Sequence, residues 1–564
     1  MVSSFLRCIV FSCSIIFSRL SLAFTPCPLL GPVFPEFALD TNSEVLGSAL
    51  DDLTEAFDTL VKDGNGSHGD VHPNTTSFSL SLFSTNQGDA ADTPFLFKYH
   101  YTAPSLKSSP NAAHDVDKDS IYRIGGLTKV FTVWSILIET GDRIWNEPVT
   151  KYVPELAKAA KCLDAKQDPV SYVNWEDVTI GQLASHLAGI AREYGVGDLS
   201  EQTDHLEYGL PPLSASEVPG CNLDSLCGRA AEFFSHFSQQ PPVALPGTTP
   251  IYSNAEFQIL GYAIESITGK SFESVLQDHI LGPLGMEKTS LSTPANSSSA
   301  VIPVDEETSG WSTQYGGEAP AISMFSSITD LSIAGKAILA STLLSQSQTN
   351  RWLKPTIHTS NPANSIGYPW VIYSGGNYPN TSMVDVYTAL SDVGLYSSYI
   401  GLVPDFNVGF TILAADSVSS PDLNAHADII ADMALPALMK IAVLQADASF
   451  GGVYASSRLN STITVSADSL PGLFIDTFIS NGTDFRQVLA TFNGIDEADA
   501  LRLFFKTEMS LLIMERGTCV SWMDIDSFKY DGASLDQFIF ELDKNGNALS
   551  VEIPALRVEL ERGD

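Results

Sequence analysis

Ile124-Gly125-Gly126-Leu127-Thr128-Lys129-Val130-Phe131-Thr132-Val133-Trp134-Ser135-Ile136-Leu137-Ile138-Glu139 is the run on which the fold turns. A surface helix keeps its apolar residues on one stripe. Here they are continuous from Val130 to Ile138, so the run predicts a helix buried on all sides at the centre of a domain, starting directly after a Gly-Gly turn. Upstream, Phe95, Phe97, Tyr99 and Tyr101 alternate with Leu96, Lys98 and His100, the two-residue period of a strand, and residues 78–83 offer a second strand to pair with it antiparallel. Downstream, the apolar runs 399–403 and 408–414 flank Pro404-Asp405-Phe406-Asn407, which predicts a strand, tight turn, strand unit in the central sheet.

Outward from this centre, residues 24–89 are punctuated by Pro and Gly around one helical stretch near 46–61, and read as an N-terminal extension. Residues 150–350 alternate helical segments with Pro/Gly loops, as a helical insertion would. After a helix over 422–446 the chain turns to short alternating segments (461–467, 472–479, 500–505, 549–560), which predict a separate β-rich domain over 449–564. The main domain is thus expected over 90–446.

At 564 residues with 44% hydrophobic content, the chain is too long for one compact domain and apolar enough for a large core. Thirty basic against 66 acidic residues leave a net charge of -36, which repels nucleic acid and argues against such a partner. Charged residues are 17%, below the roughly 25% of average soluble proteins, as suits an extracellular protein. Arg7, an apolar run from Ile9 to Phe17, and Ser21-Leu22-Ala23 read as a signal peptide over 1–23 cleaved after Ala23, the alternative being a retained signal anchor. The apolar run 429–444 is interrupted by Asp432 and Lys440, so no stable membrane span is expected after the signal.

Sequons at Asn65, Asn74, Asn296, Asn380, Asn460 and Asn481 fit a glycoprotein on a eukaryotic secretory route. Cys221 and Cys227 close a short loop and form the best disulfide candidate. No Cys/His spacing suggests zinc and the ten histidines do not cluster, so neither a metal nor another cofactor is expected.

Leu183-Ala184-Ser185-His186-Leu187-Ala188-Gly189-Ile190, Leu245-Pro246-Gly247, Tyr252-Ser253-Asn254, Leu260-Gly261-Tyr262 and Gly282-Pro283-Leu284-Gly285-Met286 follow one another in the order seen in serine β-lactamase-related proteins of the class C and penicillin-binding type. The segment from Glu147 to Leu156 resembles the one that follows the nucleophile helix of that family. The extension and the β-rich tail look like its fungal secreted branch. The resemblance covers about residues 90–440 and implies an α+β fold: an antiparallel sheet flanked by helices, a helical subdomain, and the active site between them.

Chemistry in that family rests on three elements. The first is Ser-x-x-Lys at a helix start, where the spacing sets the lysine one turn from the serine hydroxyl and the helix N-terminus offers N–H groups to an oxyanion. The matching tetrapeptide is Gly126-Leu127-Thr128-Lys129, so the lysine is present and the nucleophile position holds glycine. Thr128 lies two residues on, about 200° round the helix, and does not replace it. Ser120 has Arg123 rather than lysine at the required spacing. The second element, Tyr-x-Asn, is intact: by resemblance Tyr252 shares a proton with Lys129, and Asn254 holds a substrate carbonyl.

The third element, Lys or His, then Thr or Ser, then Gly on a strand, aligns with Ala389-Leu390-Ser391, which puts Leu390 where a small hydroxyl residue would admit substrate. The N–H groups of Gly126 and Asp392 remain as an expected oxyanion-type nest for a carbonyl or carboxylate. Removing the nucleophile of a serine hydrolase lowers turnover by about 10⁶. The leading expectation is therefore a secreted pseudo-hydrolase that binds an acylated, peptidic or secondary-metabolite ligand. The alternatives are a noncovalent enzyme using Lys129 and Tyr252 as acid and base for isomerisation, elimination or cyclisation, and a retained hydrolase or acyltransferase of secondary metabolism.

Overall fold

The computed structural model describes residues 29–563 except 41–42, 88–93, 110–112, 164, 196–197, 202–206, 215–216, 220–232, 296–297, 376–382, 493–500, 506–508, 514–520 and 524. Two compact units form, the larger from Pro35–Gly376 with Met383–Gln445, the smaller centred on Ala446–Asp564. The signal segment 1–23, Cys221, Cys227, Asn296 and Asn380 lie outside the described residues. Asn65, Asn74, Asn460 and Asn481 are exposed. No helix among the described residues is long and apolar enough to cross a membrane.

The larger unit is built on an eight-stranded, wholly antiparallel sheet. Its strands are β1 (Thr76–Ser84), β2 (Phe97–Tyr101), β3 (Ile357–His358), β4 (Asn364–Ile366), β5 (Val371–Gly375), β6 (Val384–Val393), β7 (Tyr396–Val403) and β8 (Val408–Asp416), in the order β2-β1-β8-β7-β6-β5-β4-β3. The pairing of β1 with β2 runs Leu80 to Tyr99, and that of β7 with β8 runs Val403 to Val408 across the Pro404–Phe406 turn, as the alternation and the turn residues predict. Strand β1, expected to pair with β2, is also paired on its other side with β8 from Thr76–Asp416 to Ser84–Val408, which makes it an inner strand. The 24–89 segment therefore supplies part of the sheet itself.

Helices cover both faces. On one, α1 (Glu44–Asp63) brings Phe57 against Phe78 and Tyr99, and the N-terminal part of α5 (Asn424–Phe450) brings His426 onto Phe78 at 4.6 Å between ring centres. On the other lie α2 (Thr128–Thr140) and α4 (Ile328–Leu339), where Ser332 bonds Ser81 across the layer at 2.8 Å. Gly335 lets α4 approach: a Cβ there would stand 2.2 Å from the Phe83 ring. Every residue of α2 except Ile138 and Glu139 is buried, the all-round burial that its unbroken apolar run dictates. A further helix, α3 (Asn254–Thr268), packs beside α2; Ser253 caps it, accepting the Glu256 N–H at 3.1 Å.

In the smaller unit, eight strands (452–456, 461–466, 473–480, 501–505, 509–513, 537–542, 548–553 and 558–562) pair in sequence order, and the last pairs back to the first. The β-rich tail is thus a closed antiparallel barrel, its edges removed by closure. Tyr454, Ile463, Ile475, Phe538, Val551 and Leu560 are fully buried in it.

Candidate active site

Gly126 closes the 3₁₀ turn Gly125–Leu127 that leads into α2, and Lys129 follows within the first helical turn, on the same side. The Lys129 side chain is 3% exposed. Its Nζ donates to Tyr252 Oη at 2.8 Å, to Asn254 Oδ1 at 2.6 Å and to the Ala321 carbonyl at 3.3 Å, so each ammonium hydrogen has an acceptor. Tyr252 and Asn254 reach it because Ser253 starts α3 between them. The phenol ring is sandwiched by His186, stacked at 4.8 Å, and the Arg192 guanidinium, 4.7 Å from the ring centre. Tyr252 itself is 41% exposed. Asn254 is oriented by donating Nδ2 to Glu193 Oε1 at 2.7 Å.

Beneath this layer, burial pushes the two members of the His186–Glu256 contact (3.2 Å) toward their neutral forms. Burial first, then the charges of Lys129 and Arg192, lower His186 to about 3; burial raises Glu256 well above the carboxylate range. Glu318, 4% exposed, is raised to about 8 by burial and then by Glu193, and its Oε2 has no hydrogen-bond partner among the described residues.

On the opposite wall, β6 runs past the helix start. Ser391 Oγ accepts the Gly126 N–H at 2.7 Å. A Cβ added to Gly126 would meet Ser391 Oγ at 2.9 Å and both Ser391 Cβ and Lys129 Nζ at 3.2 Å. Gly125, at φ +47°, is required for the same reason: a Cβ there would lie 2.7 Å from Ser391 Oγ. Ala389 is buried on the Ser391 side of the strand. Leu390, 45% exposed, and Asp392 alternate to the other face, and a depression of about 300 Å³ is lined by both of them together with Ser391, Ser397, Tyr399 and Asn424.

Of the residues singled out in the sequence, the structure brings together Gly126, Lys129, Tyr252 and Asn254 and sets the Leu390 side chain apart from them; the Gly126 N–H, expected with that of Asp392 to receive a carbonyl, is instead taken by Ser391 Oγ. Thr128 is fully buried, its hydroxyl spent on the Gly125 carbonyl (2.6 Å) and the Met324 N–H (3.1 Å). Ser120 is buried against Asp117. The sequence reading passed over Glu193, Glu318 and the hydroxyl of Ser391, because loop carboxylates and a lone strand serine carry no spacing signal.

A lysine at the start of the central helix, bonded to a Tyr-x-Asn helix cap beside an antiparallel sheet, defines a β-lactamase/transpeptidase-like fold and cleft. The chain belongs to the beta-lactamase family, whose profile matches residues 99–435; a second profile, described as the "Beta-lactamase-like-like, C-terminal domain", matches 442–564. It is 26% identical to a "Beta-lactamase-like protein" of Arthroderma benhamiae over 96% of both chains, and 24% identical to a "Probable hydrolase M10" of Phoma sp. over 91% of this chain and 88% of the relative. Among solved structures, a class C beta-lactamase superposes with a TM-score of 0.47 at 14% identity, covering 70% of this chain and 97% of its own.

Proposed function

We propose that this is a secreted, glycosylated β-lactamase-like protein whose cleft binds the acyl carbonyl of a neutral small molecule or peptide, and that it has no nucleophile at position 126, where the helix serine of its family has given way to glycine. The observation that carries this reading is the intact Lys129–Tyr252–Asn254 cluster facing a residue with no side chain. A glycine offers no oxygen to acylate, while three ordered polar groups remain, with Tyr252 exposed above the buried Lys129 and Asn254. Relatives named as probable hydrolases support an acyl group as what the cleft receives. Neutrality follows from charge: Ala389 supplies no cation for a ligand carboxylate, and Arg192 is paired with Glu193 at 3.5 Å.

Binding is tested by calorimetry with neutral N-acyl anilides and their carboxylated counterparts on the full chain. The neutral compounds are expected to bind, and to bind more weakly to Lys129→Met and Tyr252→Phe. Equal affinity in all three proteins would remove the cleft as the binding site. For secretion, expression in a yeast host is expected to release a glycosylated chain beginning near Phe24; an intracellular product retaining Met1 would refute it.

A further inference from the structure

Ser391 occupies the space that Gly126 leaves empty. By the resemblance, position 126 should be serine and position 391 glycine; this chain has glycine and serine. The geometry makes the two differences one. With its Oγ 2.9 Å and its Cβ 3.2 Å from a Cβ at 126, Ser391 crowds any side chain at 126 and would have to turn its hydroxyl aside and give a few tenths of an ångström to admit a serine, whereas a glycine at 391 would leave room for it. The exchange returns a hydroxyl to the cleft from the opposite wall. Its Oγ takes the Gly126 N–H at 2.7 Å, and its one other hydrogen bond among the described residues, to the Asp392 carbonyl, is long at 3.3 Å. Ser391 Oγ and Lys129 Nζ flank the same point at 2.9 and 3.2 Å. They therefore lie no more than about 6 Å apart, within the span of one bridging water.

We propose that Ser391 is the nucleophile of this cleft, acting on neutral esters. The proposal rests on the reading that the cleft receives an acyl carbonyl. Ser391 Oγ forms a bond to the carbonyl carbon, and its proton passes through the bridging water to the Lys129–Tyr252 pair in the state that has given up one proton. The bond from the carbonyl carbon to the leaving alcohol breaks, and the alcohol oxygen takes that proton. Water then attacks the acyl-Ser391 ester: its oxygen joins the carbonyl carbon, the bond from that carbon to Ser391 Oγ breaks, and one proton of the water returns to Ser391 Oγ, so that ester and water become acid and alcohol. Substrate class follows from the walls. Val243 and Leu245 are more than half exposed on the loop bonded to Leu187 and Gly189, next to the His186 that stacks on Tyr252. With alanine at 389, an apolar acyl group suits this rim better than a charged one.

The test uses the full chain with an alkyl fluorophosphonate and with 4-nitrophenyl butyrate, read by intact mass and peptide mapping. The expected result is one phosphonyl group per chain on Ser391, a labelling rate lowered by about 10²-fold or more in Ser391→Ala, and slower labelling in Gly126→Ala, whose methyl group displaces the hydroxyl. An adduct mapped elsewhere, or one that persists in Ser391→Ala, overturns the proposal. So does absence of any adduct on a protein that still binds N-butyryl anilide by calorimetry, an outcome that leaves the binding reading standing. Failure to bind that anilide would refute the binding reading itself. Mapping on the unsubstituted chain decides the matter even if Ser391→Ala does not fold.

Discussion

Gly126→Ser is the obvious repair of the family motif, and the structure argues that it fails alone. Position 126 has no left-handed backbone requirement, so a serine is not strained by φ; the obstacle is space. Its Cβ would meet Ser391 Oγ at 2.9 Å and Ser391 Cβ at 3.2 Å, with Lys129 Nζ at 3.2 Å on the other side. Lys129 is the flexible end of a side chain, but Ser391 is anchored in β6, which pairs with β7 from Tyr387–Leu402 to Val393–Tyr396. Overpacking of this kind costs about 1–3 kcal/mol. Ser391→Gly alone loses the bond from the Gly126 N–H, worth about 1 kcal/mol, and adds roughly 0.5–1 kcal/mol for glycine in a strand. Combined, the second substitution removes the clash created by the first, so the double variant should be more stable than the sum of the singles predicts by about 1–3 kcal/mol. The assay is urea unfolding followed by tryptophan fluorescence. It reports the larger unit, which holds Trp134, Trp145, Trp175, Trp311, Trp352 and Trp370, whereas only Trp522 lies in the barrel. Additivity within about 0.5 kcal/mol would refute the claim that the two positions are complementary.

Three other outcomes follow from the packing. His426 is fully buried among Phe57, Phe78 and neighbouring side chains, neither ring nitrogen has a partner among the described residues, and burial lowers it to about 4 against a weaker opposing pull from Asp422. The unfolded chain binds a proton near pH 6.5 that the folded chain refuses until about pH 4, so this contribution is complete above pH 6.5 and is lost as pH falls toward 4, amounting to about 3 kcal/mol. His426→Phe should flatten the urea midpoint across that window; an unchanged slope would assign acid sensitivity elsewhere. Asn254→Ala removes an acceptor from Lys129 and the donor to Glu193, and should cost about 2–3 kcal/mol in the same unfolding assay, where a loss below about 0.5 kcal/mol would show that water replaces both bonds. Gly335→Val drives a side chain into the Phe83 ring and should cost about 3 kcal/mol or more, whereas Phe83→Ala added to it should recover part of that loss.

How far these features are legible in the sequence depends on how local they are. The buried helix, the 408–416 strand and its turn, and the capped start of α3 each follow from residues within one or two turns of chain, and Lys129, Tyr252 and Asn254 inherit their positions from two of these elements. Strand β1 and its pairing with β2 are legible too, but its burial on both faces and its second partner β8 are harder. Strand β1 is buried at all nine positions, yet Ser77, Ser79, Ser81 and Ser84 stand among its apolar residues. Their hydroxyls are satisfied by the Ala103 N–H, Tyr122, Ser332 and the Asn407 carbonyl, partners that no local period reveals. The closed barrel likewise needs the return pairing of its last strand to its first.

Ser391 is the sharpest case. Taken along the chain, glycine at 126 and serine at 391 are two separate defects, and two defects in one cleft suggest a site in decay. Taken in space, they are 265 positions apart in sequence and joined by a 2.7 Å hydrogen bond. A decaying site has no reason to refill one lost side chain with another that needs its absence. Random loss at either position alone would leave a void at 126 or a clash at 391, each costing on the order of 1 kcal/mol. The exchange avoids both, and it keeps a hydroxyl beside an ammonium and a phenol. Ala389 and Leu390 lack any such compensation, so on the proposed reading recognition of a charged group is what has been given up, while the elements proposed to handle a carbonyl remain in one place. That separation is why the probes of choice are neutral esters rather than penicillins: a carboxylated β-lactam would test the basic triplet that the resemblance places at Ala389-Leu390-Ser391 and that this chain lacks.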